Sequence, residues 1–232
     1  MASTFFGLHI GSSALSSFQV ATNTTANNIA NVKTTGYTRQ AATLQAKDAI
    51  NVTARYGSVG TGVTVTSIKQ QRDLYYDNKY WENNSCYGRY EQKLYYMEQI
   101  QNYFKDNGSS VKGFSSVFSQ MFSDLDTLRS KPSDKTVRNQ FISSAQSLCT
   151  YFNQMSDNLS KLQDDCNEEI KNNVDEINSI SEKISLLNKE INQIETGTGV
   201  EASSLRDERA NLIDSLSKIV NVSYNETEVP NT

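Results

Sequence analysis

Residues 148–194 read LCTYFNQMSDNLSKLQDDCNEEIKNNVDEINSISEKISLLNKEINQI. Within them Leu148, Phe152, Met155, Leu159, Leu162 and Cys166 succeed one another at alternating steps of four and three, the spacing of a coiled-coil seam. A four-residue shift at Ile170 and Val174 interrupts the pattern, which resumes as Ile177, Ile180, Ile184, Leu187, Ile191 and Ile194. A stutter of this kind unwinds the seam locally without ending the helix. No Pro or Gly stands between Pro132 and Gly197, so one helix of about 60 residues is predicted, roughly 90 Å long at about 1.5 Å per residue. Ordinary helices average about 11 to 12 residues. A stripe this long is buried only beside other helices, which predicts a mainly α protein built as an elongated antiparallel helical bundle.

Working outward, Thr196-Gly-Thr-Gly199 is the turn out of the long helix. A last helix then begins with Ser203 or Ser204 as its cap. It is expected to turn Leu205, Leu212, Ile213, Leu216 and Ile219 inward and to leave Asp207, Glu208 and Arg209 on its wet face. Val220-Asn-Val-Ser-Tyr224 alternates apolar with polar and predicts a strand. On the other side, Lys131-Pro132 breaks the chain and Ser133 or Asp134 caps the long helix. Ser115 to Ser130 is a shorter amphipathic helix with Val117, Phe118, Met121, Phe122, Leu125 and Leu128 inward, and Asn107-Gly-Ser-Ser110 is a turn. Lys69 to about Lys105 is again helical, with Tyr75, Tyr80, Trp81, Tyr87, Tyr90, Tyr95 and Phe104 placing aromatic rings along a flank that is expected to pack. Ile50-Asn-Val-Thr and Val63 to Ile68 alternate, so a small β-hairpin region is predicted near 50–68, bent at Gly57, Gly60 and Gly62.

The N-terminal helix, Ser3 to about Asn31, carries a thinner stripe. Leu8, Leu15, Thr22 and Ile29 form one row; Gly11, Phe18, Thr25 and Val32 form the other. Thr and Gly occupy places where a self-sufficient bundle would have Leu or Ile. Burial at roughly 25 cal/mol per Å² then falls short of ordering costs of about 1 to 2 kcal/mol per residue, so the helix needs a partner outside itself.

Function classes that need a pocket are poorly served. The single histidine, His9, would have to serve any Ser-His-Asp triad or H-E-x-x-H zinc site. Asp164, Asp165, Glu168 and Glu169 lie on one helix and point different ways, unlike paired catalytic carboxylates. GSVGTGVTV lacks the Lys-Ser/Thr of a phosphate loop. Cys86, Cys149 and Cys166 are odd in number and show neither metal spacing nor a disulfide framework. A net charge of -4 and a pI near 5.1 argue against nucleic acid or an anionic membrane surface as partner. No apolar run approaches the 18 or so residues of a membrane span. No enzyme, cofactor or metal site is expected.

The string NNIANVKTTGYTRQ, Asn27 to Gln40, resembles the N-terminal signature of the axial proteins of the bacterial flagellum, with its N-I-A-N core, T-x-G-Y turn and trailing Arg-Gln. A Gly60-Thr-Gly-Val63 turn leads into VTSIKQQRDLYYDNKYW, and LRDERANLIDSLSKIVNVSYN, Leu205 to Asn225, is similar to the hook-associated protein 1 family of the hook-filament junction. Rod and hook proteins are not expected to carry that second block.

The resemblance implies a structural, extracellular protein of motility, exported through the flagellar type III apparatus without a cleaved signal peptide. Implied partners are further copies of itself, the hook protein, the second junction protein and, through a C-terminal region beyond this chain, an export chaperone. Residues 1–49 would be the axial polymerisation helix and signature loop, 50–220 the helical-bundle domain, and 221–232 the start of an outer β domain. The returning C-terminal helix of the family is not in these residues, so a fragment is expected. Subunit contacts are expected at Leu8, Leu15, Phe18, Asn28, Ile29, Asn31, Gly36, Tyr37, Arg39 and Gln40, with Gly36 making the turn. A soluble coiled-coil adaptor or type III-exported effector is the competing reading, and it predicts a first helix that is ordered without partners.

Overall fold

A computed structural model describes residues 5–51, 57–106 and 113–226. In chain order the elements are α1 (Phe6–Ala30), β1 (Gln40–Ala46), β2 (Ile50–Asn51), β3 (Ser58–Val59), β4 (Val63–Gln70), α2 (Leu74–Tyr103), α3 (Phe114–Ser130), α4 (Lys135–Thr198) and α5 (Ser203–Ile219). The described chain is therefore mainly helical with a small antiparallel β region. At 64 residues, α4 meets the expectation of an uninterrupted helix. Its start is capped by Asp134, whose carboxylate accepts the Thr136 N–H at 2.8 Å.

Two compact units divide the chain, one comprising Met1–Ser85 and Ile177–Thr232, the other Cys86–Glu176. The division falls within α2 and within α4.

In the first unit α1 packs on β1 and β4. Those strands pair antiparallel from Gln40 opposite Gln70 to Ala46 opposite Val63, with a bulge between Thr43 and Leu44, and β2 pairs with β3 further out. The hairpin is thus longer than the predicted 50–68 region. Gln40–Ala46 is not legible as a strand in the sequence because its alternation is of Ala, Thr and Gln, with few large apolar residues. The buried apolar side chains of this unit are Trp81, Ile180, Leu187, Ile191, Ala210 and Ile213. Trp81 Nε1 donates to Asp214 Oδ1 at 2.6 Å, and Asn84 Nδ2 donates to the Asp214 carbonyl and Ser217 Oγ, which ties α2 to α5. Arg206 donates to both carboxylate oxygens of Glu195 at 2.7 and 2.8 Å, which ties α5 to α4.

Three features of this unit differ from expectation. Asp207 is buried and Arg209 largely so, because both serve as polar fasteners between elements instead of facing water. Neither Ser203 nor Ser204 caps α5; the cap position is Ala202, with no side-chain cap hydrogen bond. Residues 220–226 form no strand, and among the described residues no strand pairs with them; Val222 and Tyr224 are half-buried, Tyr224 against Trp81 and Arg209. Residues 227–232, and the turn expected at Asn107–Ser110, lie outside the described residues.

Among the described residues of the second unit, Met155 and Leu162 are the buried apolar ones. Phe114 stacks on Phe118 and meets Tyr151 and Phe152, which joins α3 to α4. Asp124, buried on α3, accepts from Gln120 at 3.0 Å and from Gln140 of α4 at 3.2 Å. Tyr96 of α2 donates to Glu169 of α4, and that bond raises the phenol's pKa.

Along α4 the predicted core residues separate. Met155, Leu162, Ile180, Leu187 and Ile191 are buried, Leu148, Ile177 and Ile184 are half-buried, and Phe152, Leu159 and Ile194 are exposed. Ile170 and Val174 are exposed too, because the inward row passes instead through Glu169 and Asn173. The aromatic flank of α2 behaves similarly. Trp81 is 2% exposed, while Tyr75, Tyr80, Tyr87, Tyr90, Tyr95 and Phe104 lie open.

Candidate assembly surface and the joint behind it

The heptad row of α1 is not the face that meets the rest of the described chain. The packed face of the helix mixes small and polar residues with a few apolar ones: Ser17 and Thr24 are buried, and Ile10, Ser13, Ala14, Val20, Ala21 and Asn28 are half-buried. Ser17 Oγ donates to the Val63 carbonyl at 3.2 Å, and Gly62, at φ +106, lets the hairpin come so close that a Cβ there would strike Ser13 Oγ. The apolar row faces out. Leu8, Leu15, Phe18, Ile29 and Val32 are between 60% and 76% exposed. Scattered exposed hydrophobes are ordinary, but a row of them at heptad spacing along one helix is an unpartnered seam. His9 is also exposed.

The signature loop after α1 is held by its own side chains. Asn28 Nδ2 donates to the Gln40 carbonyl at 2.8 Å and Asn28 Oδ1 accepts the Gln40 N–H at 2.9 Å, so the amide pairs with the first residue of β1 as a neighbouring strand would. The Tyr37 hydroxyl donates to the same Asn28 oxygen at 2.8 Å and accepts from Asn27 at 3.2 Å. Asn31 Nδ2 donates to the Asn27 carbonyl, and Asn31 Oδ1 accepts from Thr34 Oγ1. Arg39 is exposed, and its carbonyl accepts the Gln71 N–H at 2.8 Å. Thus Asn28, Asn31, Tyr37 and Gln40 all have partners within the chain, whereas Leu8, Leu15, Phe18 and Ile29 do not meet its interior. A groove lined by Thr25, Ile29, Val32, Tyr37 and Ala42 runs between the two sets.

Behind the loop lies a joint that connects the two distant sequence blocks. Gly36 turns the chain at φ +78 directly against the Asn211 side chain of α5. Asp207 accepts the Thr38 N–H at 3.3 Å and Gln70 Nε2 at 2.8 Å; Gln70 also donates to the Ser203 carbonyl, and its own N–H goes to Glu201. Both ends of the hairpin are therefore fastened to the start of α5. Neither block taken alone reveals this joint, although an acidic residue amid the apolar face of an amphipathic helix is the available signal.

At the start of α5, the hydrogen bond from Arg206, together with that from the Ala202 backbone, holds the Glu195 pKa below the usual carboxylate range despite some burial. Glu226 accepts from Arg206 at 2.9 Å and from Arg209 at 3.0 Å. Burial opposes its ionisation, but the two guanidinium groups outweigh that and its pKa is lowered. Burial raises the pKa of Tyr224.

Among the described residues no group of three or more His, Cys, Asp or Glu gathers to hold a metal, and no helix is long and apolar enough to cross a membrane. The three cysteines are free; Cys86 and Cys149 are exposed, and Cys166 is half-buried.

Comparison with known proteins agrees with this layout. Residues 97–231 match the family described as the flagellar hook-associated protein FlgK helical domain, and residues 8–38 match the flagella basal body rod protein family. Flagellar hook-associated protein 1 of Bacillus subtilis is 34% identical over 98% of this chain and 46% of its own length. The proteins of the same name from Salmonella typhimurium and Escherichia coli are 33% and 32% identical, each over 90% of this chain and over 37% and 38% of their own lengths. The chain thus spans less than half the length of these relatives. With the helical-domain match covering more than half of its residues, a non-catalytic structural family is indicated: the chain belongs to the flagellar hook-associated protein 1 (FlgK) family.

Proposed function

We propose that this chain is part of a structural subunit at the hook-filament junction of the bacterial flagellum, which assembles into the axial tube through α1. The observation that carries the reading is the outward apolar row from Leu8 to Val32, beside a packed face on which only Ser17 and Thr24 are fully buried. Burying such a row requires helices from other subunits, and contacts of this heterologous kind repeat around a ring and along an axis. In this reading residues 1–49 are the polymerisation element and 50–220 the next layer outward. Asn28, Asn31, Gly36, Tyr37 and Gln40 hold the loop beneath the contact surface, while Leu8, Leu15, Phe18, Ile29 and Arg39 reach the neighbour. The neighbours are further copies, the hook protein and the second junction protein, and export runs through the flagellar type III channel to the cell exterior, with a chaperone engaging the C-terminal part of the full-length protein.

The test replaces Leu15 and Phe18 with Ser in the full-length protein. The soluble monomer should melt within a degree or so of the parent, since exposed substitutions change stability by no more than about 0.5 kcal/mol, while filament attachment and swimming are lost. A large fall in melting temperature would place the row in the protein's own core. Normal filaments on the variant would sink the assembly role.

A further inference from the structure

We propose that residues 221–226 form a detachable strap across the first unit, with Tyr224 as its plug and Glu226 as its catch. Among the described residues these six make no backbone-to-backbone hydrogen bond once α5 has ended at Val220, whose N–H goes to the Leu216 carbonyl. Among the described residues, side chains alone hold the segment. Val222 and Tyr224 point inward and Asn221, Ser223 and Asn225 outward, the alternation of a strand without a ladder. The Tyr224 ring meets Trp81 edge-on at 5.8 Å between centroids, and the Arg209 guanidinium lies 5.4 Å from the Tyr224 centroid. One oxygen of Glu226 then bridges Arg206 and Arg209.

What makes the strap separable is that each group it touches has another partner. Arg206 keeps its two bonds to Glu195, Arg209 keeps Asn188 at 2.9 Å, and Trp81 keeps Asp214. The joints of α5 with α4 and α2 therefore do not depend on residues 221–226. Release would leave the Arg209 side chain with Asn188, a neutral amide, as its remaining partner among the described residues. Its unpaired charge draws a carboxylate back, which makes the release reversible. Residues 221–226 thus have two settings, docked and free. This inference is independent of the role assigned to α1.

The chain contains one tryptophan, so Trp81 reports on the cover directly. In the intact chain, acrylamide quenching of Trp81 and chymotryptic cleavage after Tyr224 are compared between parent and Glu226→Gln, at low and at high salt. Replacing the two charge-assisted bonds of Glu226 with neutral ones should raise the cleavage rate about tenfold or more, with quenching rising in parallel. The helical circular-dichroism melt should stay unchanged. High salt should shift the parent toward the variant and add little to the variant itself. Tyr224→Ala should increase quenching further with the helices still intact. Unchanged cleavage and quenching in Glu226→Gln would overturn the proposal. So would a helical melt that falls together with the rise in cleavage, since the segment would then be an inseparable part of the core.

Discussion

Gly36 packs directly on the side chain of Asn211, so that a Cβ on the glycine would overlap the asparagine amide. This contact brings the loop of the N-terminal signature onto the middle of α5, and it explains why both blocks are needed to build one joint. The outward seam of α1 is held at a defined place by polar contacts on its other side, while its apolar row is left for another molecule.

Gly36→Ala should destabilise the chain on two counts. The left-handed conformation costs a non-glycine residue about 1 to 2 kcal/mol, and the overlap with Asn211 adds to that. Adding Asn211→Ala should recover only the overlap, because φ +78 remains. Thermal melts of the single and double variants check this, and full recovery in the double variant would rule out backbone strain as a contributor.

Asn28→Asp keeps an acceptor for the Gln40 N–H and the Tyr37 hydroxyl but sets a carboxylate oxygen against the Gln40 carbonyl in place of a donor. A cost of about 1 to 3 kcal/mol is expected for the lost bond and the mismatched pair. Amide exchange at Gln40 should accelerate while exchange in α4 stays as in the parent. Equal exchange at Gln40 in the two proteins would refute the staple.

Leu187→Ala and Ile191→Ala should each lower stability by about 2 to 5 kcal/mol, as for other buried large-to-small changes. Phe152→Ala, at a side chain 53% exposed, should cost much less than the 3 to 5 kcal/mol or so of a buried phenylalanine. Denaturant titration of the three variants distinguishes them. A loss at Phe152 as large as at Leu187 would mean that the isolated chain buries its rings elsewhere.

The fastening of α5 should weaken in acid. Glu195 and Glu226 both have folded pKa values below normal, so their contribution is complete above the unfolded value of about 4.3 and is lost as pH falls through the folded values. Melting temperature should therefore be flat from neutrality to mildly acidic pH and drop below that range. Arg206→Gln removes the principal donor to Glu195 and should flatten the acid drop; an identical profile in that variant would assign the acid sensitivity to other carboxylates.

The amino-acid sequence by itself determined the run of helices, the length of α4, the turn at Gly36 and the apolar row of α1, because helix period, breakers and glycine preferences act within a few residues along the chain. It could not determine which face of α1 meets the rest of the chain. A heptad row reads the same whether its mate is near or far, and only the packing of Ser17, Thr24 and Asn28 on the hairpin decided that the row faces out. For the same reason Asp207 and Arg209 read as solvated charges until Thr38, Gln70 and Glu226 were brought to them. The burial of a charge depends on partners that are distant in the chain, and only the tertiary structure supplies those.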